Sequence, residues 1–408
     1  MRVSPRFDVV VVGASIGGCT AARLFALAGA RVALVERRPD PGAYKVACTH
    51  QILSSAAPTI ERLGLAARLE ARGAVRTHIQ IWSPYGGWMR FPTDVPYGYG
   101  VTRSTLDPIL RELSADTPGV EFLPGRTVVG LLSEDGRPAG VRIENPNRAA
   151  QSIRARLVVG ADGRGSTVAR LARVPGRVRP HNGFYYFAYW RGIEPRTTRA
   201  RLWFLDPEGA AAFPNEDDLT VVVAAPQRSR LQEFRADPEK MYQRMIAALP
   251  DGPNLAHAER ASKLLGKLDV PNVMRPAARP GVAFVGDAAL ATDPSFGVGC
   301  GWAFESAEWL VDHTQTALLG HGDLDRALDR YRLAFRRRLG LEHWLIADMS
   351  SGRKLRWNER TAFRAAAGDP FVARALEEVA TRRRSSLRML EPRLTLRVLR
   401  LAGHAPFP

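Results

Sequence analysis

Hydrophobic and polar positions change period several times along the chain, and each change marks an element. Phe7 to Val12 carries a solid valine run, the pattern of a strand buried on both faces. A glycine-rich turn over residues 13–18 leads into a helical pattern from Cys19 to Ala28, with Gly29 placed to stop it. Arg31 to Val35 predicts a second strand, ending at Glu36. Ile52 to Leu65 reads as a helix started or interrupted at Pro58. Val75 to Phe91 alternates and turns at Pro84-Tyr85-Gly86-Gly87, a hairpin signal. Asp107 to Leu113 predicts a helix, Gly119 to Leu132 two short strands, and Arg137 to Ile143 a partner for Gln151 to Arg156. Leu157 to Val159 runs as a strand toward Asp162. Phe184 to Ala225 is β throughout, and Leu231 to Leu249 is one helix. Val282 to Val285 is a further short buried strand, ending at Gly286-Asp287. Helical patterns then cover Trp302 to Leu319 and Leu324 to about Met349, before a tail in which leucines alternate with arginines.

Strand, glycine turn, helix and strand at both ends of a long insertion predict an α/β chain with a Rossmann-like nucleotide-binding domain. An inserted antiparallel β-sheet forms a substrate domain, and a helical region closes the chain. The expected boundaries are 1–75, 100–175 and 270–345 for the first domain. Residues 76–99 and 176–269 form the second, and 346–408 the C-terminal helices. A length of 408 residues is more than one ordinary core fills.

Composition changes this picture little. The formal net charge is +17, and only five of the 58 basic residues are lysine. So skewed an arginine usage fits coding bias as well as function, although a basic surface attracts anionic partners. One such partner is a carrier protein bearing the substrate. No nucleic-acid module is present, so nucleic-acid binding is not expected. No apolar run is long enough for a membrane span. The start of the chain has no secretory pattern, and three cysteines without metal or CxxC spacing fit a reducing, cytoplasmic setting.

The chemistry lies at the strand ends. Gly13, Ser15, Ile16, Gly17 and Gly18 open a helix, and Glu36 comes about 20 residues later, the dinucleotide fingerprint. The turn lets a pyrophosphate approach the helix N-terminus, and Glu36 meets ribose hydroxyls. Arg37 adjoins it, and Arg103 stands just ahead of a helix, placed for a phosphate or adenosine. Asp162 and Asp287 are two further strand-end carboxylates. Asp287, with Pro294, Gly297 and Gly299 after it at a helix start, suits a flavin: the carboxylate takes ribityl hydroxyls and the helix start faces the ring. Lys45 and His50 lie in a polar loop. Aromatic residues of the inserted sheet, Tyr185, Tyr186, Trp190 and Phe213, together with Phe296, are candidates for an apolar substrate pocket. His50, Tyr185 and Tyr186 are candidate bases.

The stretches GASIGG with Glu36, VVGADGRGS and FVGDAALATDPSFGVGCG occur in the order seen in the group A flavoprotein monooxygenases. The chain resembles that family and its p-hydroxybenzoate hydroxylase-like fold over about residues 7 to 345. The last stretch is also similar to flavin-dependent halogenases. The resemblance implies FAD as cofactor, with Gly13, Ser15, Gly17 and Gly18 around the pyrophosphate, Glu36 on the ribose and Arg103 on the FAD. Val128 would supply a backbone contact near adenine, and Asp162 a motif shared with the nicotinamide cofactor. Asp287 would hold the ribityl chain, with Pro294, Gly297 and Gly299 beside the ring. The implied activity is oxygenation of a hydrophobic, aromatic or polyketide-type small molecule in secondary metabolism. NAD(P)H would act as a transient reductant, or a partner flavin reductase would replace it. Halogenation and dehydrogenation or reduction are the alternatives.

Overall fold

The computed structural model describes residues 6–147 and 149–403. Its central sheet runs in the order Ala278–Arg279, Val282–Phe284, Ala150–Gly160, Arg6–Val12, Val32–Val35, Val120–Leu123. Of the five pairings the first is antiparallel and the other four are parallel, as the solid apolar runs require when helices cover both faces. A hairpin of Thr127–Glu134 and Arg137–Glu144 extends this sheet from the early part of Ala150–Gly160.

The register decides where the chemistry falls. Val12 pairs with both Val35 and Gly160, and Gly160 pairs with Phe284. Because these strands are parallel, the residues just past their ends emerge in one row: Gly13, Glu36, Ala161-Asp162 and Val285 to Asp287. The crevice beyond such strand ends is where open α/β sheets bind ligands.

A second, ten-stranded sheet stands over this edge, ordered Glu259–Arg260, Tyr185–Arg191, Thr220–Ala225, Gly209–Pro214, Arg199–Phe204, Val75–Ser83, Gly98–Gly100, Gln51–Ile52. Its strands alternate between two faces. Tyr185, Phe187, Phe213 and Val223 join the main core on one face. Ala188, Trp190, Val222 and Ala224 form a separate core on the other, with Phe234, Tyr242 and Ile246 from two helices laid across it. Those helices, Leu231–Ala236 and Pro238–Ala247, replace the single helix expected over 231–249. Pro238 forces Asp237 out of the helical region, and the Asp237 side chain then caps the second helix through Lys240 N.

Three helices, Trp357–Gly368, Pro370–Ala380 and Pro392–Gly403, close the chain. The first packs against the second sheet, where Phe363 meets Phe204 edge-on, and the other two pack on the first.

Candidate functional site

A cavity of about 960 Å³ lies along the row of strand ends. Gly13, Ser15, Ile16, Gly17, Glu36, Arg37, Arg103, Val128, Asp162, Asp287, Pro294, Gly297 and Gly299 all line it. Gly18 does not. A Cβ on Gly18 would lie 1.7 Å from Gly13 O, so this glycine lets the helix Ile16–Leu27 seat against its own turn. Gly13 has φ +103°, and a Cβ there would lie 2.6 Å from Ala161 O, so only glycine fits.

The turn is held open by its neighbours. Glu36 accepts from Ala14 N at 2.8 Å and Arg38 N at 3.0 Å, tying the second strand end to the glycine turn. Ser15 does not cap the helix that it precedes; its Oγ accepts from Arg103 Nη2 at 2.6 Å. Arg103 is the first residue of the helix Arg103–Ala115 and is only 3% exposed. Its guanidinium grips Asp107 through Nε at 2.9 Å and Nη2 at 2.6 Å. Asp162 is occupied with its own loop, accepting from Ser166 Oγ at 2.5 Å and Thr167 N at 2.6 Å.

At the other end of the cavity Lys45 Nζ pairs with Asp287 Oδ2 at 2.9 Å. Burial alone would raise the Asp287 carboxyl, but the charge and hydrogen bond of Lys45, together with the charges of Arg164 and Arg103, hold the group below its ordinary value. Arg164 also lines the cavity, and its Nη1 is buried with no hydrogen-bond partner among the described residues. A bare glycine turn facing an uncapped helix start, and a buried guanidinium nitrogen lacking an acceptor, fit an anionic dinucleotide. The donor set therefore suits FAD: the turn and Arg103 would hold the pyrophosphate, Glu36 the ribose, and Asp287 the ribityl chain.

His50 is not free to act as a base. It is 1% exposed; Nδ1 accepts from Arg103 N at 2.8 Å, and Nε2 faces the Tyr189 hydroxyl. Burial lowers its pKa, so it is a neutral peg joining the Arg103 helix to the second sheet.

A smaller cavity of about 90 Å³ adjoins the first. Thr49, Tyr185, Val223 and Asp293 line both, and Phe204, Phe213, Phe296 and Leu355 wall the smaller one. Tyr186 and Trp190 line neither, which corrects their assignment to the pocket. With Tyr185 and Phe187 facing the cavities, alternation turns residues 186 and 190 to the far side. There Tyr186 stacks on Phe234, and Trp190 Nε1 donates to Tyr242 Oη at 3.1 Å.

Two groupings at this junction have no signal in sequence spacing. In the first, Asp293 accepts from His181 Nε2 at 2.9 Å, from the Tyr185 hydroxyl, and from Ser295 N at 2.8 Å. His181 Nε2 lies 3.0 Å from Tyr185 Oη. Burial and the Asp293 charge push the Tyr185 phenol well above its ordinary value. Burial would raise Asp293 too, but its hydrogen bonds from His181 and Tyr185 keep it below. In the second, Cys48 and Cys300 bring their sulfurs to 3.7 Å on the wall of the larger cavity. The hydrogen bond from Cys300, and then the charges of Arg103 and Lys45, lower the Cys48 thiol despite its burial.

Comparison with known proteins agrees with this geometry. Digeranylgeranylglycerophospholipid reductase from Thermoplasma acidophilum is 26% identical over 353 residues, 83% of this chain and 85% of the relative. Tryptophan 2-halogenase from Chondromyces crocatus is 25% identical and covers 82% of this chain and 66% of its own length. A Pseudomonas aeruginosa structure, "a probable FAD-dependent monooxygenase", superposes with a TM-score of 0.68 at 22% identity, over 89% of this chain and 98% of that one. At that identity the likeness is one of fold. The family described as "FAD binding domain" matches residues 6–339, and the chain belongs to that family of flavin-dependent oxidoreductases.

Proposed function

We propose that this chain is an FAD-dependent reductase that saturates a carbon–carbon double bond in an apolar small molecule. The observation that carries the reading is Tyr185, whose phenol stands at the junction of the two cavities and is held protonated. Bound FAD supplies two-electron transfer at the neighbouring substrate. A phenol raised above its ordinary pKa is a poor acid, so Tyr185 gives its proton only to a strongly basic centre such as a carbanionic carbon. His181 Nε2, 3.0 Å away, is placed to restore that proton, and Asp293 orients both groups. Phe204, Phe213, Phe296 and Leu355 keep water from the carbon being protonated. A relative that reduces a polyprenyl phospholipid and aligns over 85% of its length supports the same reading.

Oxygenation is the second reading. It is favoured by the motif order and by the four residues that line both cavities, which would set a substrate in the smaller one next to the flavin without a relay. NAD(P)H is the expected electron source in either case, bound transiently or through a partner flavin reductase; stopped-flow loss of flavin colour on mixing with NADPH tests it.

The deciding experiment incubates FAD-loaded, pre-reduced protein with geranylgeranyl lipids and aryl alkenes in D2O, with and without O2. The reductase reading expects product without O2, carrying solvent deuterium on the carbons of the former double bond. Tyr185→Phe should slow it about 10²- to 10⁴-fold with FAD affinity unchanged. Product formed only with O2, carrying an atom from 18O2, would replace it with oxygenation.

A further inference from the structure

The C-terminal helices expose an apolar face that neither cavity explains. Of the fourteen large hydrophobic side chains exposed among the described residues, seven lie between Trp357 and Leu401. Leu387, Leu390, Leu396 and Leu399 are 57%, 71%, 55% and 44% exposed. Scattered single leucines on a surface are ordinary; four within one short stretch are not.

This segment is amphipathic in an unusual sense. In the helix Pro392–Gly403, Leu394 and Val398 are buried, four residues apart, and fix the helix to the protein. Leu396 and Leu399 lie three apart on the outward side, with Arg393 one turn before Leu396 and Arg400 one turn after. Leu387 and Leu390 project from the turn Ser386–Leu390 just ahead of it.

Charge identifies the partner. Residues 382–401 hold seven arginines and one acid, Glu391. Arg382, Arg383, Arg388 and Arg397 are anchored to Glu342, Glu377, Glu378 and Asp369, which gives the segment its shape. Arg384 and Arg393 are exposed and have no acidic partner among the described residues. Exposed leucines interleaved with arginine, on a helix already fixed by its other face, are complementary to an anionic bilayer. Apolar side chains enter the acyl boundary while guanidinium groups meet the headgroup phosphates. No helix of the described residues is long and apolar enough to cross a membrane, so the contact is with one surface.

We propose that residues 384–401 dock the protein on the surface of an anionic lipid bilayer. The inference stands independently of the reaction. The docking face belongs to the same helical cap that walls the smaller cavity, where Leu355 lines the pocket and Phe363 packs on Phe204.

The test uses the FAD-loaded full chain and co-sedimentation with vesicles of phosphatidylcholine alone or with phosphatidylglycerol. Binding should appear on the phosphatidylglycerol vesicles, weaken with added salt, and fall at least about tenfold when Leu387, Leu390, Leu396 and Leu399 are all replaced by serine. Arg384→Glu with Arg393→Glu should weaken it without altering the melting temperature, which separates docking from folding. Equal sedimentation of wild type and the serine variant would overturn the proposal. So would a wild-type dimer in solution that ignores vesicles and dissociates in the serine variant, because the face would then be covered by a second copy of the chain.

Discussion

Arg103 gives the sharpest test of how the site is built. Its position ahead of a predicted helix suggests an element end, where truncation weakens FAD binding and leaves the fold intact. The structure places it inside instead, paired with Asp107 at side-chain exposures of 3% and 1%. Arg103→Met strips Asp107 Oδ1 of two donors, while Oδ2 keeps only Lys45 N at 3.0 Å. Removing one partner of a buried ion pair costs roughly 3–5 kcal/mol, because the other charge stays buried without compensation. The surviving Lys45 bond puts the expected loss near the lower end, about 3 kcal/mol. The lost bond to Ser15 Oγ adds roughly 1 kcal/mol. The second substitution, Asp107→Leu, removes the stranded carboxylate, and the double variant should recover most of the stability.

The assay is urea unfolding of the FAD-free protein by tryptophan fluorescence, alongside FAD titration of each variant. Stability and cofactor affinity should separate. Both the single and the double variant lose the guanidinium at the pyrophosphate turn, so both bind FAD more weakly, by about tenfold or more for a charge-assisted bond of roughly 1.5–3 kcal/mol. Only the single variant should be badly destabilised. If Arg103→Met unfolds within about 1 kcal/mol of wild type, the pair does not carry the energy assigned to it. If the double variant is no more stable than the single, the loss comes from packing of the arginine stem.

Asp287→Ala should lose FAD affinity by a similar factor, since the ribityl hydroxyls lose a charged acceptor; equal affinity by flavin fluorescence titration would reject its role. Gly13→Ala should destabilise the FAD-free protein by about 1–3 kcal/mol and abolish flavin retention on gel filtration, because the φ is left-handed and the added carbon meets Ala161 O. Cys48 should react with iodoacetamide at pH 7.5 well before Cys19, which is enclosed and whose thiol burial pushes up to about 12; peptide mass mapping reads the order. Glu305, in the helix Gly299–Leu318, is raised by burial to about 6 from 4.5, so the folded protein takes its proton before the unfolded chain does. The ionised carboxylate therefore costs about 2 kcal/mol above pH 6, a cost relieved as pH falls toward 4.5; Glu305→Gln should be the more stable protein at pH 7.5, with the gap closing by pH 4.5 in urea melts.

The nucleotide-binding half was legible because its signals are local and its geometry is repetitive. A buried parallel strand is a continuous apolar run, and the residues just past its end emerge at the same sheet edge as those past the ends of its neighbours. Gly13, Glu36, Asp162 and Asp287 are far apart in the chain, yet each is recognisable from a few flanking residues. Helix limits were less legible at Asp237-Pro238, where an apolar period continues across a break that backbone sterics impose.

The substrate side was illegible for a different reason. There the deciding fact is which of two sheet faces a residue occupies, and an aromatic strand buried on both faces carries no sign of it. Tyr185 and Tyr186 are equivalent as sequence, but one reaches Asp293 and the other stacks on Phe234. His181 and Asp293 are separated by more than a hundred residues and meet only because the second sheet folds over the strand ends. Cys48 and Cys300 are farther apart still, and an absence of metal or CxxC spacing says nothing about a pair made by tertiary contact. Strand ends form a ligand crevice wherever such a sheet is built, whereas the proposed proton donor depends on the face that the covering sheet turns inward. The cofactor can therefore be read from motifs, and the proposed reaction rests on the tyrosine that the second sheet turns inward.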